Sequence, residues 1–373
     1  MASILRKFHR PNFALAVIVF ALVIFGLVMI SSASVVVAKL SSGDPFYYVK
    51  RQAIWVGLGL LVLLIFQKID YHFFKKIAPW ALLFVLILLV GVFIPGLGYS
   101  YGGARRWIHL GPFFIQPTEL LKPVFILYLA AWLEKKGKGI KYFSYGFLPF
   151  VIMLSFIVFL IMREPDMGTM FVIASTACII FFTAGASIWQ FASGFILGIF
   201  AFWELIKMAP YRLARFMVFL NPSADPTGIG YHVNQALLAI GSGGIFGRGF
   251  GESRQKFLYL PQAFSDSIFA IIAEELGFLR TTLVLILFIL FALYGIRIAQ
   301  RAPDTFGRLV ATGIVFWICL QALINVGAMV GVLPLTGITL PFISYGGSSL
   351  VTTLGAVGIL LNISRQTKTR YGT

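Results

Sequence analysis

The stretch Lys256–Gly277, KFLYLPQAFSDSIFAIIAEELG, places one carboxylate, Asp266, where a long polar segment runs into a long apolar one. Acids are scarce in this chain, 13 Asp and Glu against 30 Lys and Arg. A lone carboxylate at a membrane surface, with Arg248, Arg254 and Lys256 shortly before it, suits general-base chemistry on an anionic lipid-linked substrate. Asp is also a preferred helix N-cap, and the two roles are compatible. Arg105, Arg106 and Trp107 follow a Gly-Gly pair. Adjacent guanidiniums match a pyrophosphate bidentately or contact lipid headgroups, and Trp107 suits an interfacial anchor or the edge of a binding site. Glu119 and Lys122 stand i, i+3 at the start of an apolar helix and share a face. Ionisable groups in that setting pair and point inward, as a structural ion pair or toward substrate.

Weaker signals surround these residues. Glu164-Pro165-Asp166 is either a two-acid turn able to take a divalent cation, Mg or Mn, or a Pro turn in which Asp166 caps the next helix. His232 and Gln235 are compatible with hydrogen bonding to sugar. The run Gly241–Gly251 is Gly-rich but lacks the Gly-Lys-Ser/Thr ending of a nucleotide loop and follows no strand, so it reads as close backbone approach or a re-entrant turn. Cys178 and Cys319 lie in apolar runs with no disulfide or metal-ligand pattern and read as packing residues. No Gly-x-Ser-x-Gly elbow or HExxH occurs.

The elements that must position these residues follow from composition. The chain is 59% hydrophobic and 12% charged, with a mean hydropathy of +0.93. Soluble domains carry about 25% charge. Ten apolar spans are predicted near 13–34, 50–67, 77–97, 118–134, 143–162, 167–185, 187–207, 267–296, 306–328 and 347–363. The first is too long for a signal peptide, whose apolar region is about 7–15 residues. The net charge of +17 is distributed by topology. One side collects 16 bases against three acids, in the N-terminal lead, the loops holding Lys75, Lys138 and Arg301, and the C-terminus. That side is predicted cytoplasmic, with both termini on it. The distribution argues against a nucleic-acid partner. One polytopic domain, 1–373, is expected, with functional outer segments near 96–117, 208–266 and 331–349. The last contains Pro334, Gly337, Pro341, Gly346 and Gly347, which do not continue a helix. Irregular backbone at membrane depth lines a cavity or is buried in protein, so an outward-opening cavity is expected.

Four segments carry a resemblance: GARRWIHLGPFFIQPTELLK at 103–122, EPDMGT at 164–169, GSGGIFGRGFGESRQKFLYLP at 241–261 running into DSIFAIIAEELGF at 266–278, and LPLTGITLPFISYGGSS at 333–349. As a set they resemble the SEDS family of bacterial shape, elongation, division and sporulation proteins, and its division branch more than its elongation branch. The resemblance implies an all-α integral membrane protein, a GT-C-like polytopic bundle of about ten transmembrane helices with a large outer loop between spans seven and eight. It implies inverting peptidoglycan glycosyltransfer from lipid II at the outer face of the inner membrane, with Asp266 as the essential acid and Arg106, Glu119 and Lys122 as functional partners. Substrate contacts are expected from Arg105, Arg106, Trp107, Glu119, Lys122, Asp166, His232, Gln235, Lys256 and Ser344. A class B penicillin-binding transpeptidase and other divisome membrane proteins are the implied partners. A lipid II flippase and a non-catalytic scaffold for the transpeptidase are the alternatives. Many members carry Glu, Ala, His, Thr before the Asp, where this chain has Gln262, Ala263, Phe264 and Ser265, so no role is assigned to Gln262 or Phe264.

Overall fold

The computed structural model describes residues 11–367 apart from 102–103, 112, 222–224 and 226–227. In chain order it forms α1 (Phe13–Ala33), α2 (Val35–Ser42), α3 (Tyr47–Lys68) and α4 (Tyr71–Gly91), then β1 (Gly98–Tyr101), β2 (Ala104–Leu110) and β3 (Phe113–Ile115). There follow α5 (Pro117–Lys136), α6 (Leu148–Arg163), α7 (Met167–Thr183), α8 (Ile188–Lys207), α9 (Pro210–Leu220), α10 (Ile229–Gly243), α11 (Ile268–Gln300), α12 (Thr305–Met329) and α13 (Gly347–Arg365). Every predicted span is occupied by a helix. Among the described residues, eight helices are long and apolar enough to cross a membrane, taking α6 together with the π-helical turn Phe143–Phe147 before it. Of the other two predicted spans, α7 has 17 residues, and α5 carries Glu119, Lys122, Glu134, Lys135 and Lys136. The bundle sorts apolar surface as a lipid-facing protein must. α13 is buried along nearly its whole length, while α8 exposes Phe195, Ile196, Ile199 and Phe200.

The ends that carry the predicted cytoplasmic bases lie together. Lys75 pairs with Glu134, joining α4 to α5. Tyr71 and His72 reach Asp304, joining the α3–α4 turn to the α11–α12 turn. Asn362 donates to Gln67 O at 2.8 Å, and Ser364 Oγ accepts from Asn12 N at 3.0 Å. The flanking bases Arg6, Lys7, Arg10, Lys368 and Arg370 lie outside the described residues.

Two features depart from the expected all-helical bundle. The segment 96–117 is an antiparallel three-stranded sheet in the order β1-β2-β3, not an irregular loop. Its residues are largely aromatic or β-branched, types that favour strands. Gly102 and Gly103 lie outside the described residues, and Gly111 supplies a positive φ of 60° between β2 and β3. The second departure is in α11, which is broken at Gly277 (φ 76°, ψ 177°). Only glycine tolerates that conformation, and a Cβ there would sit 2.1 Å from Gly247 N. The helical ladder is not left open. Phe278 and Leu279 donate to Gly244 O and Ile245 O at 2.9 and 3.1 Å, while Arg248 N and Gly249 N donate to Glu274 O and Glu275 O at 3.0 Å each. The Gly-rich run therefore exchanges backbone bonds with the break and satisfies both segments. Beyond the break, the 23 residues 278–300 make a span of about 34 Å by helix rise. Before it, 268–276 form a short buried helix whose position fixes Asp266.

Candidate active site

Asp266 stands in the last turn before α11, and Ser267, not Asp266, is the N-cap residue. The capping alternative for Asp266 therefore has no geometric basis. Its backbone is fixed from several directions. Asn325 of α12 donates to Asp266 O at 2.7 Å and Ile338 O at 2.8 Å, and Ser344 donates to Ser265 O at 2.6 Å. Phe264 packs on Tyr48, with ring centroids 4.5 Å apart, and on Tyr345 at 5.5 Å. Ser267 Oγ donates to Pro261 O at 2.9 Å, so it receives its 2.6 Å bond with His232 as an acceptor from Nε2–H. That tautomer is neutral, in keeping with burial and Arg215 holding the His232 pKa down to about 4. His232 thus braces the segment instead of reaching for sugar. The carboxylate itself makes no hydrogen bond or ion pair among the described residues. It lies under the α12–α13 turn, where a Cβ on Gly337 would come 3.3 Å from Asp266 Oδ2. Burial foremost, then the nearby Asp166, raises its pKa from 3.8 to about 7 against the pull of Arg106 and Arg215. A carboxylate poised near neutrality with a free lone pair is what a general base requires.

Arg106 enters the same region from β2. Its guanidinium donates to Glu164 O at 2.9 Å and Pro165 O at 2.6 Å, with Nη1 3.9 Å from Asp166 Oδ2. Arg105, its neighbour on the strand, is exposed and bonds Ser100 Oγ at 3.2 Å. The register slips here, Ser100 pairing with Arg105 and Tyr99 with Trp107, so Arg106 is the extra residue of a β-bulge that re-aims its side chain. The expected two-guanidinium clamp is corrected: Arg106 faces the site while Arg105 does not. Trp107, half-buried, is in register with Tyr99. Asp166 caps α7 with both oxygens, accepting from Thr169 N and Thr169 Oγ1 at 3.0 Å each. The Glu164 carboxyl is fully buried with no hydrogen bond among the described residues, and burial and Asp166 push its pKa up to about 9 despite Arg106. A protonated acid and an occupied cap do not make the two-acid cation turn. Among the described residues no cluster of three or more His, Cys, Asp or Glu is placed to hold a metal, so no step is routed through Mg or Mn.

Glu119 and Lys122 form a buried ion pair of 2.7 Å facing the bundle interior. Lys122 also donates to Gln321 Oε1 at 2.9 Å, which accepts from Trp317 Nε1 at 2.9 Å. Gln321 Nε2 donates to Thr339 O at 2.9 Å. Gln321 and Asn325 lie i, i+4 on α12, one turn apart on one face. The pair therefore connects, through two amides, to the turn and to the backbone of Asp266. Neither amide was picked out from sequence, although a polar amide within an apolar span is itself a signal. Lys256 is corrected: Nζ, 3% exposed, is bonded to Ser32 Oγ and Glu275 Oε1 at 3.1 Å each and to Gly251 O. An ammonium has three donors, so none is left for substrate. Ser344 is likewise engaged, donating to Ser265 O and accepting from Leu340 N at 2.8 Å. Gln235, half-buried one turn beyond His232, has no hydrogen bond among the described residues. The residue that sequence reading missed is Arg215 of α9. Its charge acts on Asp266 and on that of Arg106 and Asp166, and its own pKa is lowered by burial and by Arg106.

A family model described as cell cycle protein, FTSW_RODA_SPOVE, matches residues 13–369. The chain belongs to the FtsW/RodA/SpoVE family. It is 44% identical over 362 residues to stage V sporulation protein E of Bacillus subtilis, covering 97% of this chain and 99% of the relative. It is 40% identical over 364 residues to the probable peptidoglycan glycosyltransferase FtsW of Geobacter metallireducens, covering 98% and 97%. A solved chain from a study of structural coordination of polymerization and crosslinking by a peptidoglycan synthase complex superposes with a TM-score of 0.78 at 28% identity, covering 95% of this chain and 98% of that one. With its apolar helices, this member of the FtsW/RodA/SpoVE family is a multi-pass membrane protein.

Proposed function

We propose that this chain is a peptidoglycan glycosyltransferase that joins lipid II disaccharides into β-1,4 glycan at the outer face of a bacterial inner membrane. The observation that carries the reading is the Asp266 carboxylate, free of hydrogen bonds, with a pKa near 7 and two guanidiniums nearby. In the proposed reaction the acceptor GlcNAc 4-hydroxyl gives its proton to Asp266 and its oxygen attacks the anomeric carbon of the donor MurNAc. The bond to undecaprenyl pyrophosphate breaks, and the pyrophosphate leaves with the electron pair. One in-line displacement inverts an α-linked donor to a β-linkage with a single base. Arg106 offsets the negative charge that grows on the leaving group, a term that is often the largest in such reactions. The Glu119–Lys122–Gln321 array holds the turn above Asp266. Both termini are cytoplasmic and the site is outside.

The relative named FtsW supports a role in septal wall synthesis, with a class B penicillin-binding transpeptidase and divisome membrane proteins as partners. The relative named stage V sporulation protein E supports the same chemistry at a sporulation septum as a second reading. The deciding experiment supplies lipid II to the purified protein with no partner glycosyltransferase present. Glycan strands are expected, and none from the Asp266→Asn protein. Transport of lipid II across vesicles without polymer would replace this reading by a flippase. Labelling of an engineered cysteine near Lys138 from outside intact cells would reverse the topology.

A further inference from the structure

Arg215 sits on α9 one turn before Val218, so both project to the same face. That face, with Val233 and Leu237 of α10 and Leu333 and Leu335 of the α12–α13 turn, lines a groove of about 110 Å³. One wall of the groove belongs to the turn above the active site: Leu335 is two residues from Gly337, which lies over the Asp266 carboxylate. Arg212, one turn earlier on α9, is fully engaged by Tyr211 Oη at 2.8 Å and Leu205 O at 2.9 Å. Arg215 makes no hydrogen bond and no ion pair among the described residues. A guanidinium is always charged, and a partly buried one with no direct partner is unfavourable until an anion arrives.

We propose that Arg215 and this groove form the polyprenyl diphosphate subsite, the guanidinium taking the diphosphate and the apolar walls the first isoprene units of the same lipid. The proposal rests on the glycosyltransferase reading above and gives it a leaving-group site. The charge complementarity fixes the occupant: an apolar wall continuous with a free guanidinium fits a lipid whose anion is attached directly to its chain. The charge of Arg106 acts on Arg215, and an anion between them would relieve that repulsion.

The test uses the purified full chain in detergent, with lipid II carrying an undecaprenyl or a farnesyl chain, and undecaprenyl diphosphate as product inhibitor. Arg215→Gln is expected to weaken inhibition by the diphosphate about ten- to a hundredfold, as for loss of a charge-assisted hydrogen bond, and Arg215→Lys to recover part of it. Leu237→Trp, which fills the groove, is expected to raise KM for the undecaprenyl and farnesyl substrates alike, since both carry the first isoprene units. Excess phosphatidylglycerol is expected to compete far less than the diphosphate. Unchanged diphosphate inhibition in Arg215→Gln overturns the proposal, as does an unchanged KM for both substrates in Leu237→Trp, or competition by phosphatidylglycerol as strong as by the diphosphate. If Arg215→Gln has lost its melting transition, Arg215→Lys and Leu237→Trp decide. Failure of the wild-type chain to polymerise lipid II would instead overturn the glycosyltransferase reading itself.

Discussion

Replacing Asp266 by Asn keeps the shape of the side chain, removes its basicity and leaves every hydrogen bond of the segment in place, because those bonds are made by its neighbours and its own backbone. Loss of a general base is worth about 10²–10⁴ in rate, or about 3–5 kcal/mol of barrier. Stability should move the other way. Folding raises the carboxyl pKa from 3.8 to about 7, so the folded state holds its proton more tightly than the unfolded chain. The wild type therefore loses stability as pH rises from about 4 to 7 and has lost all of this contribution above 7. The full rise corresponds to about 4 kcal/mol, an upper bound because solvent at the open side of the carboxylate screens it. The Asn variant does not pay this ionisation term. Glycan synthesis followed from pH 5 to 8, and thermal melting in detergent from pH 4 to 8, test the two halves together. Wild-type turnover is expected to rise about tenfold per pH step below 7 and then level off. The variant is expected to melt at the wild-type temperature near pH 4 and above it at pH 8. Polymerisation by the variant at near wild-type rate, or a wild-type rate flat from pH 5 to 8, would refute the assignment of Asp266 as base.

Three other substitutions probe the surroundings. Arg106→Lys loses the forked contact with Glu164 O and Pro165 O, and turnover is expected to fall at least about tenfold with little change in melting; unchanged turnover would remove Arg106 from the site. Lys122→Met strands the Glu119 carboxylate in the bundle and is expected to cost about 3–5 kcal/mol, much of it recovered by adding Glu119→Gln; melting of the three proteins measures it, and no recovery in the double variant would show that Lys122 acts alone. Gly277→Ala places a Cβ against Gly247 N and is expected to abolish the folded, monodisperse protein on size-exclusion chromatography, whereas a well-behaved product would mean that the break relaxes.

The sequence patterns exposed some of this site and concealed the rest for physical reasons. The apolar runs marked a helix at each of the ten predicted positions, since a chain in a bilayer must satisfy its backbone polar groups internally whatever it packs against. Asp266 stood out because acids are scarce in the chain and this one stands where a polar segment with three bases runs into an apolar one. Arg105 and Arg106 are indistinguishable by type, and only a bulged strand, set by a sheet inside an outer segment, separates them. Lys256 looked accessible in a polar run. The acid that engages it lies nineteen positions on, and the hydroxyl lies in α1, contacts that no local pattern contains. Arg215 was one of several bases in a long segment. Its distinguishing mark is the helix begun by Pro210 that turns Val218 to the same side. The break at Gly277 was hidden because SIFAIIAEELGFL reads as an uninterrupted helix until the Gly-rich run is brought against it.

The four backbone bonds exchanged at Gly277 also govern how this part of the molecule can move. An ordinary kink frays residue by residue, but here neither segment can shed its bonds without leaving the other's amides unpaired. Opening is therefore concerted. The amides of Arg248, Gly249, Phe278 and Leu279 form one cooperative unit whose exchange with solvent deuterium follows a single event, although two of them lie in a glycine-rich loop that would otherwise exchange quickly. The acid at the end of the short buried helix inherits that behaviour. It is held as firmly as the spans beneath it until the whole joint lets go, and a glycine-rich segment, usually a source of slack, becomes the clasp that keeps the base in register.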